Sequence, residues 1–388
     1  MFNTTVKNAG EFNKITYRPI RSPWLISFTI SLLFSAFFLG CMKDEDIVPA
    51  LTDDESLENR GGLEKVRAAY EVTNLVADVA EYDPVRIDTN LVNAWGIAIG
   101  PTGAFWISAA EKELSVIYDD EGNQLRVPVT MEGEPTGQVF NNSTGFVIPM
   151  VGVSRFIFVT EYGTITAWRT GNVATTMIDN SASGAQYTGV EIANDGTGTF
   201  LYVANVANGT IEVYDENWNL VNSKPFSDPS LPAGASPFNV QLVFGNLFVT
   251  YVGPGGGFVN IFNTNGMLLK RFAEGGTLNA PWGITNTPPE FGLGQSILIG
   301  NFGDGRINVY NKNGNFRGQL GDEDHEPISI DGLWALEFTA GAFAGTSDPD
   351  LYFTAGPDGE EHGIYGEIEH IEEEEVDTAG LPVSDKMK

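Results

Sequence analysis

From residue 94 onward, short apolar runs recur at regular intervals, separated by clusters rich in Gly, Asn and Asp. One unit repeats. A Gly is followed five residues later by an aromatic at Gly163 and Trp168, Gly209 and Tyr214, Gly257 and Phe262, and Gly305 and Tyr310. The residues between them, such as Thr-Ile-Thr-Ala and Thr-Ile-Glu-Val, alternate as a half-buried strand must, because successive side chains of a strand point to opposite faces. Residues 114–118 fill the same slot without the Gly. The aromatics Tyr118, Trp168, Tyr214, Phe262 and Tyr310 fall 46 to 50 residues apart. That spacing suits a four-stranded propeller blade and is too long for most helical repeats.

Each unit carries further strands. An apolar strand precedes the aromatic one at residues 105–108, 156–159, 200–203, 247–250, 297–300 and 351–354, and these six segments count six blades. Earlier still comes a first strand, seen in Trp95-Gly96-Ile97-Ala98, Trp282-Gly283-Ile284-Thr285 and Leu333-Trp334-Ala335-Leu336, with a weaker version at residues 137–140. Asn265-Gly266 and Asn313-Gly314 then supply hairpin turns, whose central residues need positive φ. The pattern predicts an all-β, six-bladed β-propeller of four-stranded blades over residues 70–371. The last unit lacks an outer strand, and residues 70–79 read as a strand without a blade. They are expected to supply that outer strand and close the ring, since an open sheet edge invites pairing with other chains.

The N-terminus reads as an address. Lys7, Lys14, Arg18 and Arg21 precede an apolar run from Trp24 to Gly40, and Cys41 follows at once. This order marks a secretory signal. Phe38-Leu39-Gly40-Cys41 resembles a bacterial lipobox, with Phe38 in place of the usual Leu, and identifies residues 1–40 as a lipoprotein signal peptide and Cys41 as the lipidated residue. The alternative is an uncleaved signal anchor. Lys43-Asp44-Glu45-Asp46 is similar to the acidic signal that exports lipoproteins of Bacteroidetes-type bacteria to the cell surface, which places the chain on the outer membrane. Residues 41–69 form an acidic tether, with a short helix expected around residues 63–70. Residues 372–388 form an acidic tail expected to be disordered.

Charge and rare residues then exclude chemistry. The net charge is −30, and −33 once residues 1–40 are removed. Such a surface repels nucleic acid, which requires clustered Lys and Arg. The single Cys permits no internal disulfide and no Cys-based metal site. The only His residues are His325, His362 and His370. There is no EF-hand loop, P-loop or Gly-x-Ser-x-Gly.

A resemblance to a known family rests on longer motifs. Asn74-Leu75-Val76-Ala77-Asp78, Asn90-Leu91-Val92-Asn93-Ala94-Trp95-Gly96, Asn279-Ala280-Pro281-Trp282-Gly283, Gly300-Asn301-Phe302-Gly303-Asp304-Gly305, Asp331-Gly332-Leu333-Trp334 and Phe353-Thr354-Ala355-Gly356-Pro357 carry it. They resemble a bacterial family of extracytoplasmic propellers, similar to the NHL and TolB-like six-bladed group. Some members of that family end in a PEP-CTERM sorting tail, which this chain replaces with its N-terminal lipobox. The resemblance covers residues 70–370. It implies fold and extracytoplasmic location, and no chemistry.

In a propeller of this connectivity, the loops entering the innermost strands and the loops joining second to third strands share one face. The first set holds Asn93, Trp95, Asn279, Trp282, Asp331 and Trp334, with Asn239 close by. The second holds Glu111, Glu161, Asn205, Asn301, Asp304, Asp358, Glu361 and His362. Ligand binding is expected at this mouth, as concave sites are the usual binding places. The competing role for the indoles is packing between blades, and for Asn and Asp the capping of turns. Two functions follow. One is a monomeric binding or scaffold propeller, held to the membrane by its lipid, for a protein, glycan or small molecule. The other is a hydrolase similar to the Ca-dependent lactonases, whose Ca²⁺ would take Asn, Asp and Glu oxygens at the same mouth. No ligand pattern of the lactonases appears, and no base stands beside a nucleophile. Binding is therefore the favoured reading.

Overall fold

The structure, a computed structural model, describes Val66, residues 68–339 and residues 350–371. The signal segment, Cys41, nearly all of the tether and the acidic tail lie outside the described residues. So does most of the helix expected over residues 63–70, and Ala69 and Tyr70 open a strand instead.

Six blade sheets, antiparallel apart from a short parallel pairing of Arg86–Ile87 with Ala69–Ala77 in the sixth, follow one another along the chain. Their innermost strands are Ala94–Ile99, Pro135–Phe140, Tyr187–Asn194, Ser236–Val243, Pro281–Asn286 and Leu333–Phe338. Each innermost strand packs on the next, and that of blade six packs on that of blade one, so the blades form a closed ring. The protein is a six-bladed β-propeller. Its sixth blade takes its outer strand from the N-terminal side, where Ala69–Ala77 pairs antiparallel with Ile364–Ile371.

The spacing of the aromatic repeat has a packing cause. Six buried hydrophobic clusters fill the six interfaces between neighbouring blades. Tyr118, Trp168, Tyr214, Phe262 and Tyr310 end the third strand of blades one to five and are all buried. Each lies in the cluster shared with the preceding blade. Blade six continues the series with Gly363 and Ile368, an aliphatic residue in the same role. An aromatic side chain buries about 150–250 Å², enough for one residue per unit to hold each blade to its neighbour.

Blade three departs from the pattern. It has three strands, and its outer position is reduced to the bridge between Tyr214 and Leu220. The chain beyond carries Pro225, Pro229 and Pro232, which lack the N–H that a strand ladder needs. Buried side-chain pairs hold that segment in place instead. Lys224 Nζ meets Asp195 Oδ2 at 2.6 Å, and Arg271 pairs with Asp228.

Candidate functional site

The chain enters the innermost strands on one face, here called the upper face. In blades one, five and six it does so through a residue of positive φ, namely Asn93 (50°), Ala280 (48°) and Gly332 (65°). Two residues later comes Trp95, Trp282 or Trp334. The same left-handed turn thus aims three indoles at the channel axis. Trp95 and Trp334 stack with centroids 3.7 Å apart, and Trp282 meets Trp334 edge-on at 5.9 Å. Phe302 stacks on the other side of Trp334 at 4.0 Å, and Phe238 stands edge-on to it at 5.7 Å. This buried cluster closes the channel below the upper face.

Hydrogen bonds fix the plug. Trp334 Nε1 donates to Asn93 Oδ1 at 3.0 Å. Trp282 Nε1 reaches across from blade five to the Thr188 carbonyl of blade three at 2.9 Å. Trp95 Nε1 is buried without a hydrogen-bond partner among the described residues. Side chains of one blade then satisfy innermost-strand carbonyls of the next blade on. Thr136 Oγ1 donates to Tyr187 O, Thr188 Oγ1 to Phe238 O and Asn239 Nδ2 to Trp282 O. A buried carbonyl left unpaired costs about as much as a lost hydrogen bond, so these contacts set the rotation of one blade against the next.

One residue further along, the innermost strands crowd into a neck of small side chains: Gly96, Gly137, Gly189, Asn239, Gly283 and Ala335. A Cβ on Gly96 would lie 2.6 Å from the Thr136 oxygen, and one on Gly283 would lie 2.6 Å from the Trp334 oxygen. Backbone approaches this close admit only glycine.

Carboxylates gather on the upper face around blades six, one and two. Glu360 Oε2 accepts from Asn93 Nδ2 at 3.1 Å, which ties it to the indole floor. Glu134 accepts from Tyr162 Oη at 3.0 Å and is hydrogen-bonded to Glu161. Burial, then the charges of Glu134 and Glu360, push Glu161 well above the usual carboxylate range. Burial pushes Glu360 up to about 7, against the Asn93 hydrogen bond, with Glu111 and Glu134 adding repulsion. Glu111 is raised by burial and by Glu134. Glu161 and Glu360 hold protons toward neutrality because they are buried among other acids with too little positive charge nearby.

The other expected site residues divide. Asn205 is fully buried and structural: its Nδ2 donates to Glu212 at 2.7 Å, and its Oδ1 accepts from the Gln186 and Asn208 amides. Asn301 is buried, donates to Thr277 O and Asp304 Oδ1, and leaves its own Oδ1 without a partner among the described residues. Asp304 also accepts from the Arg306 amide. Asp331 caps the turn of blade six by accepting from the Asp358 amide at 2.8 Å. Asn279 is exposed beside Gly303. His362 turns away from the axis and meets Asp78 Oδ2 at 2.9 Å, a hydrogen bond that raises its pKa. Asp78 also accepts from the Gly363 amide, so the pair fastens the end of the closing strand. Glu134 and Glu360 were absent from the sequence-derived set. Glu360 joins the cluster because Asp358, Gly359 and Glu360 all take positive φ and fold the turn back over blade one.

Among the described residues, the group of three or more acidic or His ligands whose atoms lie within 4.8 Å of one another is Asp350, Glu367 and Glu369. These belong to the outer part of blade six, and the mouth carboxylates do not converge in that way.

Comparison with known proteins adds lineage and no activity. No family model matches the chain. Among solved structures, it is similar to virginiamycin B lyase from Staphylococcus aureus, at 10% identity and a TM-score of 0.48 over 78% of this chain and 99% of that one. It is also similar to a streptogramin B lyase, at 12% identity and a TM-score of 0.45 over 78% and 97%. Two relatives come from Acanthamoeba polyphaga mimivirus. Uncharacterized protein L690 is 28% identical over 344 residues, 80% of this chain and 88% of its own length. Uncharacterized protein R648 is 30% identical over 331 residues, 77% of this chain and 79% of its own length. The chain belongs to the family of that mimivirus protein, R648.

Proposed function

We propose that this chain is a lipid-anchored, extracytoplasmic binding propeller that takes a basic segment of a partner protein on its upper face. The observation that carries this reading is the crowding of Glu111, Glu134, Glu161 and Glu360 above a closed floor of indoles, with three of the four held above the usual carboxylate range. Ammonium or guanidinium groups placed there would let these carboxyls ionise and would replace repulsion with charge-assisted hydrogen bonds. A net charge of −30 would steer such a partner toward the protein. The floor also keeps the Trp95 N–H without an acceptor among the described residues. The hydrolase reading lacks comparable support, because among the described residues the mouth carboxylates do not converge as a cluster of metal ligands.

A lysine-rich peptide is the probe. The paired substitutions Glu161→Gln and Glu360→Gln should weaken its binding about tenfold in 150 mM salt, measured by fluorescence anisotropy. The exposed pair Glu121→Gln and Glu323→Gln removes the same charge elsewhere and should leave binding within about twofold. Equal losses in both pairs would reduce the interaction to net charge and defeat the site. The pH dependence adds a second readout. A carboxyl whose pKa rises on folding holds its proton where the unfolded chain has lost it, so its ionisation costs stability as pH rises. Glu161→Gln should therefore raise the melting temperature at pH 8 and leave it nearly unchanged at pH 5.

The lipid is tested separately. Cys41→Ala should abolish incorporation of labelled palmitate in a bacterial host and leave the signal uncleaved by the lipoprotein peptidase. Unchanged labelling and unchanged membrane fractionation would favour a signal anchor. The Lys43-Asp44-Glu45-Asp46 segment supports export to the outer face of the outer membrane, and protease shaving of intact cells reads that directly.

A further inference from the structure

On the far side of the neck from the indole plug, the channel widens into a cavity of about 160 Å³. Its walls include Ile97, Phe140, Ile284 and Leu336, and its titratable lining residues are Glu191 and Glu337. Both glutamates occupy the same register, three residues beyond Thr188 and Trp334 in the innermost strands of blades three and six. Those blades stand opposite each other in the ring of six, so the carboxylates face the same lumen from opposite walls.

Their surroundings differ. Glu191 accepts from the Ile192 and Leu242 amides, each at 2.7 Å, and so caps two open-edge N–H groups. Glu337 makes no hydrogen bond among the described residues. It keeps accessible surface although it sits on an innermost strand, and that surface is the wall of the cavity. An acid with no hydrogen-bond partner among the described residues, at the centre of a propeller, facing a lumen lined by Gln138, Asn239 and Gln241 as well as by aliphatic residues, is costly for an apoprotein. A ligand that brings positive charge removes the cost. The size is informative too, since a cavity of about 150 Å³ accommodates a molecule of the size of benzene, about six heavy atoms.

We propose that this cavity binds a short aliphatic diammonium, with its methylene chain against Ile97, Phe140, Ile284 and Leu336 and its two ammonium groups against Glu191 and Glu337. A divalent metal ion suits the site less well, because Ca²⁺ requires about six to eight oxygen ligands, while Glu191 already accepts from two backbone amides and the Gln138 side chain is committed to Ser115, Gly96 and Trp106. A monoammonium would leave one carboxylate facing the lumen uncompensated. The protonation of the pair agrees with this assignment: burial pushes Glu191 up to about 7 against its two amide donors, and burial together with the Glu191 charge pushes Glu337 up to about 8. A diammonium would drive both to ionise.

The test is calorimetric titration of the full chain with butane-1,4-diamine at pH 7.5 in 300 mM NaCl, which screens the acidic exterior. The expected result is one site per chain, net proton release seen by comparing buffers of different ionisation enthalpy, and at least tenfold weaker binding of butylamine. Glu337→Gln should weaken the diamine at least tenfold. Glu337→Asp, which keeps the charge and withdraws it, should fall between the two and serves if the Gln variant folds poorly by circular dichroism. Absence of saturable diamine binding overturns the proposal, as does binding unaffected by Glu337→Gln. Saturable Ca²⁺ binding that depends on Glu337, without diamine binding, would replace the diammonium by a metal and equally overturn it. The Glu161 and Glu360 substitutions lie beyond the plug and should leave this titration unchanged.

Discussion

Trp334→Ala should destabilise the propeller by about 3–5 kcal/mol, the range for truncating a buried large aromatic. Trp334 is 1% exposed and touches more of the plug than any other member. It stacks on Trp95 and Phe302 and meets Trp282 and Phe238 edge-on. Aromatic pairs of this kind add about 0.5–1.5 kcal/mol each beyond the area they bury. The substitution also strips the donor from Asn93 Oδ1, in a side chain 2% exposed, and an orphaned buried acceptor costs about 1–3 kcal/mol. Trp334→Phe separates these terms. It keeps a six-membered ring in the stack but loses the donor and the rest of the five-membered ring, so it should cost less than Trp334→Ala, about 1–3 kcal/mol. Urea denaturation of both variants gives the comparison. A Trp334→Ala protein within about 1 kcal/mol of the parent would mean that the blades hold the channel shut without the plug.

The parts of this architecture visible in the sequence are those in which one physical need maps onto one residue type at fixed spacing. The blade count is of that kind, because the residue five positions after the turn glycine must fill the interface with the preceding blade. Blade six escaped the pattern at Ile368, where an aliphatic residue fills that interface. The convergence of Trp95, Trp282 and Trp334 was also visible, since all three share one register in their strands.

What surrounds them was less so. Asn93, Asn279 and Asp331 look equivalent in the sequence, yet Asn93 takes the left-handed position held by Ala280 and Gly332, one residue after Asn279 and Asp331. A left-handed residue can be Asn, Gly or, under strain, Ala, so composition conceals the alignment. Asn205 and Asn301 have the residue type of a binding group and spend it on local hydrogen bonds. Glu191 and Glu337 sit in strands whose alternation reports burial between blades. Nothing in a period of two marks which residue of an innermost strand looks into the channel, so these acids emerge only when the ring is closed.

The outer strand of blade six comes from the N-terminal side of the chain, and a chain beginning at residue 80 should fail to form a monomeric ring. Ala69–Ala77 is paired with Ile364–Ile371 over their whole length, with a register shift between Asn74 and Val76. The segment buries Tyr70, Leu75, Val76 and Ala77 in the clusters on both sides of blade six. Tyr70 Oη also donates to the Phe291 carbonyl at 2.9 Å, inside the protein and across to blade five. Full burial contributes about 1.5–3 kcal/mol for each large apolar side chain, and a domain's net stability is only about 5–15 kcal/mol. Losing the strand therefore removes most of the margin. It also leaves the last strand of blade six as an open edge, which pairs readily with other chains. The expected result is oligomer by light scattering and loss of the near-ultraviolet dichroism of the packed aromatics. A synthetic peptide of residues 68–79, added in trans, should restore the monomer, because the missing strand is held by pairing and burial rather than by chain connectivity. A truncated protein that stays monomeric with the parental unfolding midpoint would show that five blades and an incomplete sixth suffice, and that the N-terminal strand merely decorates a ring already closed by its innermost strands.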